Sequence, residues 1–176
     1  VSMLMGKGEN EQAEKVMGNC FTLLVGLSIL LTVVISICDR DLLLLFGASE
    51  NTVGYAEEYM RIYTLGTLFV QLTLGMNAFI TAQGFAKVSM LTVLIGALCN
   101  IVLDPLFIFV FDLGVQGAAI ATVLSQAVSA VWVMLFITGK KCVLRLKLRN
   151  LRVQPRLVAP CILLGLSPFV MQSTES

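Results

Sequence analysis

The sequence has 176 residues, 57% of them hydrophobic and 13% charged, with a mean hydropathy of +0.91 and a formal net charge of +1. Water-soluble domains carry roughly 25% charged residues, so a soluble chain of this composition would lack the polar surface to cover its core; a polytopic membrane protein is the class that remains. Histidine is absent, which excludes imidazole-based metal and acid–base chemistry, and the five cysteines (20, 38, 99, 142 and 161) have no metal or redox spacing.

In chain order, residues 1–15 are polar, with Lys7 and Lys15 among Glu9, Glu11 and Glu14. Gly6-Lys7-Gly8 lacks the spacing of a phosphate loop and reads as a turn before the first helix. An apolar run follows at about 16–38. Residues 39–58 set Arg40 against Asp39, Asp41, Glu50, Glu57 and Glu58. Within them, Asp41–Gly47 is too short to span and is expected to lie at the interface as an amphipathic piece. Glu57 and Arg61, four residues apart in the favourable order, are expected to pair at the start of the second helix.

Further apolar runs occupy about 59–81, 88–111 and 115–138, and another begins near Leu157. The complete runs each exceed the roughly 20 residues that a membrane span needs, and they lack strand-like alternation, so helices are expected. The fold class is therefore an all-α membrane protein, a polytopic helical bundle of four complete transmembrane helices plus the start of a fifth. The first residue is not Met, and the last apolar segment runs to Ser176 unfinished, which reads as an internal fragment of a longer protein.

The connectors differ in charge. Segments 1–15, 82–87 and 139–156 together hold ten Lys/Arg, seven of them between Lys140 and Arg156, whereas the alternate connectors hold only Arg40. The positive-inside rule predicts a multi-pass protein of the cell membrane with 1–15, 82–87 and 139–156 cytoplasmic. The basic stretch is expected on anionic headgroups rather than on nucleic acid.

Each later span carries a small or polar line at helical spacing: Thr67, Gln71, Gly75, Ala78 and Ala82; then Ser89, Thr92, Gly96, Asn100 and Asp104; then Ala118, Thr122, Ser125 and Ser129. Such lines let membrane helices pack closely and bond across the contact. Asp104 needs more than packing. An ionised carboxylate within a span costs about 3 kcal/mol even on the lowest scales. Asn100 is four residues away on the same face, and Pro105, having no N–H, leaves the Ile101 carbonyl without its helical donor. A carboxylate, an amide oxygen and a backbone oxygen on one turn suit Na⁺, or the carboxylate could take a proton. The competing reading is that Asp-Pro marks a helix end. Asp104 and Thr122 lie nine residues before and after Leu113, which predicts equal depth, about 10–14 Å below the turn. Thr122 is thus a further ligand or a hydroxyl bonded to its own helix.

The chain resembles the multidrug and toxic compound extrusion (MATE) transporters in Gly6-Lys7-Gly8 with Ala13, in Leu45-Phe46-Gly47-Ala48-Ser49 before Tyr55 and Tyr59, and in Ala82-Gln83-Gly84 before Lys87. The most specific block runs from Asn100 through Asp104-Pro105 to Gly114-Val-Gln-Gly117 and on to Thr122. The resemblance implies part of a twelve-helix, two-lobe transporter, with 1–138 a partial N-lobe, 139–156 a basic linker and 157–176 the start of the C-lobe. It implies a cation site at Asp104, Asn100 and Thr122, structural roles for Pro105, Gly114 and Gly117, and a further acidic ligand on a helix outside this sequence. The implied function is secondary active multidrug efflux of amphipathic or cationic organic compounds in exchange for Na⁺ or H⁺, with no other cofactor. Its partners would be the lipid bilayer, drug-like small molecules and the missing helices of the same polypeptide. The alternatives are a flippase for lipid-linked precursors, which would need basic groups in its cavity, and an inactive truncated membrane fragment. An enzyme is the least expected class, since no nucleophile–base set is visible.

Overall fold

The computed structural model of the chain describes residues 1–45, 52–139, 142–147, 150 and 162. They form α1 (Ser2–Gly6), α2 (Asn10–Leu45), α3 (Val53–Leu65), α4 (Thr67–Ala82), α5 (Ala86–Pro105), a π-helical turn (Leu106–Val110) and α6 (Gly114–Thr138). No strand occurs among the described residues.

Three helices are long and apolar enough to cross a membrane, and a fourth crossing results if the bent pair α3–α4 counts as one. Large apolar side chains stand exposed along α2 (Leu27, Ile29, Leu30, Val33) and α5 (Met90, Val93, Leu98, Val102). In water such continuous faces would drive aggregation; in a bilayer they meet lipid or neighbouring helices. The chain is a multi-pass membrane protein.

α6 is the central helix, packed against α3, α4 and α5, while α2 lies against α3 and α4. Six of the eight residues that α6 buries are Gly, Ala or Ser. A helix surrounded on several sides must be thin, because without a hydrophobic effect between lipid-embedded helices close backbone approach supplies the packing. Gly117 shows this directly: an added Cβ would lie 2.7 Å from the Phe107 carbonyl oxygen.

The turns follow their glycines. Gly84, at φ +87, closes α4 with the Phe85 N–H on Ile80 O (3.2 Å) and its own N–H on Thr81 O (2.9 Å), the paired bonds of a Schellman cap. The α5–α6 turn places Asp112 (φ 54) and Gly114 (φ 51) in left-handed backbone, which glycine adopts without a Cβ penalty.

Several boundaries differ from the sequence expectation. The first helix runs from Asn10 to Leu45 rather than over about 16–38. Residues 41–45 therefore continue α2 instead of forming a separate interfacial piece, while Phe46 and Gly47 lie outside the described residues. Charges at the helix end look like a loop in a hydropathy profile, yet here they are engaged: Asp39 pairs with Arg61 at 3.3 Å and Arg40 with Glu57 at 3.9 Å. Glu57 and Arg61 thus pair across to α2 rather than with each other. The expected span 59–81 is two helices bent by 52° at Gly66. A side chain at Gly66 would meet Val123 of α6 at 2.6 Å, so the glycine lets α6 approach the break. Within α4 the buried residues are Thr73, Met76 and Ile80 rather than the expected line from Thr67 to Ala82. In that line Gly75 does make a close contact, with Leu24 of α2.

The chain does not leave helical geometry at Asp104-Pro105. α5 includes Pro105 and passes into a wider turn, with the Phe111 N–H on Leu106 O at 3.1 Å. The expected fifth run lies outside the described residues except for Ile162, as do 140–141, 148–149 and 151–156 of the basic segment.

Candidate functional site

Asn100 and Asp104 face the same way from α5, and α6 brings Thr122 to them. The Asn100 amide donates to Asp104 Oδ1 at 3.1 Å and to Thr122 Oγ1 at 3.5 Å. The Thr122 hydroxyl in turn donates to the Ala118 carbonyl at 2.9 Å, so it is held by its own helix and still offers lone pairs to α5. All three residues are half-buried. The three positions singled out from sequence therefore converge, though Asn100, and not Asp104 directly, makes the contact with Thr122. The π turn adds a residue to the α5 arm, so equal counts from Leu113 do not give identical depth.

From this triad a polar seam runs toward the other end of the helices. Ser129 donates to Thr92 O at 3.3 Å, and Gly96 provides the space, since a Cβ there would lie 2.6 Å from Ser129 Oγ. Ser125 bonds back to Ala121 O at 2.8 Å, and Thr73 reaches Gln126 O at 3.4 Å. Between α4, α5 and α6 this seam borders a cavity of about 260 Å³ lined by Thr73, Thr92, Asn100, Thr122, Ser125 and Ser129, among others. Asp104 stands one turn beyond Asn100, outside the lining. Thr73 and Gln126 lie outside the sequence-derived lines; Gln126 enters through its backbone carbonyl, which no side-chain pattern can signal.

A second polar constellation sits where α2 begins, α4 ends and the chain leaves α6. Gln83 Oε1 accepts the Leu144 N–H at 2.8 Å and the Cys142 thiol at 2.9 Å, while Gln83 Nε2 donates to Phe79 O at 3.2 Å. Glu14 accepts the Arg145 N–H at 3.1 Å on one oxygen and the Lys147 ammonium at 2.6 Å on the other. Burial pushes the Cys142 thiol above its ordinary range, against a lowering by its bond to Gln83. This part of the basic segment therefore folds onto the bundle, where sequence reasoning expected it on lipid headgroups. Two backbone N–H groups and a lysine offered buried acceptors make a stronger claim on 142–147 than an exposed surface does.

The family model described as MatE matches residues 1–106. The chain belongs to the MatE family. Among curated relatives, the multidrug export protein MepA of Staphylococcus saprophyticus is 29% identical over 127 residues, covering 72% of this chain and 28% of that protein. MepA of Staphylococcus aureus is 25% identical over 173 residues, covering 97% of this chain and 38% of that protein. An inward-facing structure of a multidrug resistance MATE transporter superposes with a TM-score of 0.87 at 26% identity, over 94% of this chain and 38% of that one. An outward-facing structure superposes with a TM-score of 0.82 at 27% identity, over 89% of this chain and 35% of that one. The MatE chain described here thus spans well under half the length of the relatives it matches.

Proposed function

We propose that the polypeptide carrying this chain is a secondary active multidrug efflux transporter that exports amphipathic or cationic organic compounds in exchange for Na⁺ or H⁺. The observation that carries the reading is the Asn100 amide set between Asp104 Oδ1 and Thr122 Oγ1, across two helices. That amide N–H lies where a cation between the two oxygens would go. Half a turn of the amide presents Asn100 Oδ1 instead, giving a carboxylate and two neutral oxygens. One carboxylate with neutral partners suits a monovalent ion or a proton better than a divalent one, which draws on several carboxylates.

An ion bound there joins α5 to α6 beside the cavity and so biases the bundle between states open to one face or the other. It can do so only by its difference in affinity for the two states. Relatives solved in inward- and outward-facing conformations support such an alternation. The cell membrane, with segments 1–15, 82–87 and 139–156 on the cytoplasmic side, is the orientation that goes with this reading. A flippase for pyrophosphate-bearing lipids is less favoured, since the cavity lining between α4 and α6 carries no basic side chain and Arg61 is paired with Asp39.

The test is Asp104→Asn in the polypeptide carrying this chain, reconstituted in proteoliposomes under an imposed Na⁺ or H⁺ gradient. Ion-driven export of a fluorescent cationic dye is expected to fall at least tenfold, with normal membrane insertion. Export at the wild-type rate overturns the assignment of the site.

A further inference from the structure

We propose that residues 142–147 form a clasp that fastens the chain emerging from α6 onto the adjoining ends of α2 and α4, so that these three helices move as one body. The inference rests on no part of the ion or export reading. α6 stops at Thr138, with Gly139 in extended backbone. The chain then passes over the end of α4 and reaches the first turns of α2. At each step it is held by a group from a different helix. Gln83, at the end of α4, receives the Leu144 N–H and the Cys142 thiol. Glu14, at the start of α2, receives the Arg145 N–H and the Lys147 ammonium. The Leu146 N–H turns back to Ile137 O of α6 at 3.4 Å.

Three features distinguish a clasp from a chance surface contact. Gln83 and Glu14 are 9% and 8% exposed, so their polar atoms have little water to fall back on if the segment leaves. Leu144 is 0% exposed and completes an apolar cluster with Ala13 and Met17 of α2, Met76 and Ile80 of α4, and Val133 and Ile137 of α6. Gly18 lets the chain continue along α2, since a Cβ there would run into the Asn150 carbonyl. Each acceptor takes one backbone N–H and one side-chain donor, so they hold the course of the chain as well as Cys142 and Lys147. The clasp thus fixes where the following chain starts relative to the bundle.

The experiment is peptide-resolved hydrogen exchange and maleimide labelling of Cys142 on the polypeptide carrying these residues, held in lipid nanodiscs. In the wild type the Leu144 and Arg145 amides exchange slowly and Cys142 is protected. Gln83→Ala is expected to accelerate exchange at 144–145 and labelling of Cys142 at least tenfold while amides of α5 are unchanged. Glu14→Gln keeps an acceptor for the Arg145 N–H and should fall between the wild type and Glu14→Ala. Lys147→Ala changes a half-exposed side chain, so it tests the clasp without endangering folding; its effect should be smaller and centred on Arg145. Fast exchange at 144–145 in the wild type, no response to Gln83→Ala, or equal loosening of α5 overturns the proposal.

Discussion

At the end of the bundle where α2 begins and α4 ends, Leu144 is sealed from solvent and both Glu14 oxygens hold protein donors. Around Asp104 the neighbouring helices leave their polar groups half-buried, joined by one amide at 3.1 and 3.5 Å and bordering a cavity of about 260 Å³. The contrast is one of saturation. A carboxylate whose acceptor sites are filled by the protein holds structure together. A carboxylate with one protein bond keeps acceptor sites that an ion or a proton could take. Glu14 and Asp104 are both acids in an apolar chain, and their neighbours fill the acceptor sites of the first but not of the second.

The largest expected effect lies at the saturated end. Leu144→Ala should lower stability by about 2–5 kcal/mol, because the side chain is fully buried and its alternative environment, outside the spans, is water. Thermal unfolding in nanodiscs measures this, and a loss below about 1 kcal/mol would erase the distinction between the two regions. Next comes Gly117→Ala, expected to cost about 1–3 kcal/mol in the same assay, since the new methyl meets a backbone carbonyl that cannot swing aside. The smallest stability effect should come from Asn100→Ala, below about 1 kcal/mol, as the residue is half-buried and its bonds are long or few. That variant sharpens the comparison by function: cation-dependent thermal stabilisation of the wild type should vanish in it while overall stability barely changes. Retention of the ion response would remove Asn100 from the site.

Much of the open region was legible in the sequence, for a local reason. Asn100 and Asp104 share a face by helical spacing alone, and a short turn at residues 112–114 brings α6 back beside α5, so counting put Thr122 near this turn of α5, although the π turn makes Asn100 rather than Asp104 its contact. The clasp was not legible. Gln83 and Leu144 are 61 residues apart and Glu14 and Arg145 are 131 apart, and no periodicity links an acceptor on a helix end to an N–H in a distant extended segment. Charge reasoning even pointed away from it, because seven bases between Lys140 and Arg156 with no acid among them suggest a lipid surface. The bend at Gly66 escaped for another reason: hydropathy is blind to direction, and a run that stays apolar through Leu65-Gly66-Thr67 gives no sign that its axis turns by 52°. The extension of α2 through Asp39–Asp41 was hidden because Asp39 and Arg40 find partners on α3 that only the fold supplies.

The unbroken length of α2 has a mechanical meaning. Its 36 residues reach about 54 Å, nearly twice the roughly 30 Å hydrocarbon thickness, so both ends stand in polar surroundings. Glu14 and Asp39 sit on this one rod about 37 Å apart. If the clasped body of α2, α4 and α6 tilts by about 10° about its Glu14 end, Asp39 is carried sideways by about 6 Å. Arg61 and Glu57 must follow or let go. The helix is a lever whose fulcrum is a carboxylate and whose far arm ends in ion pairs.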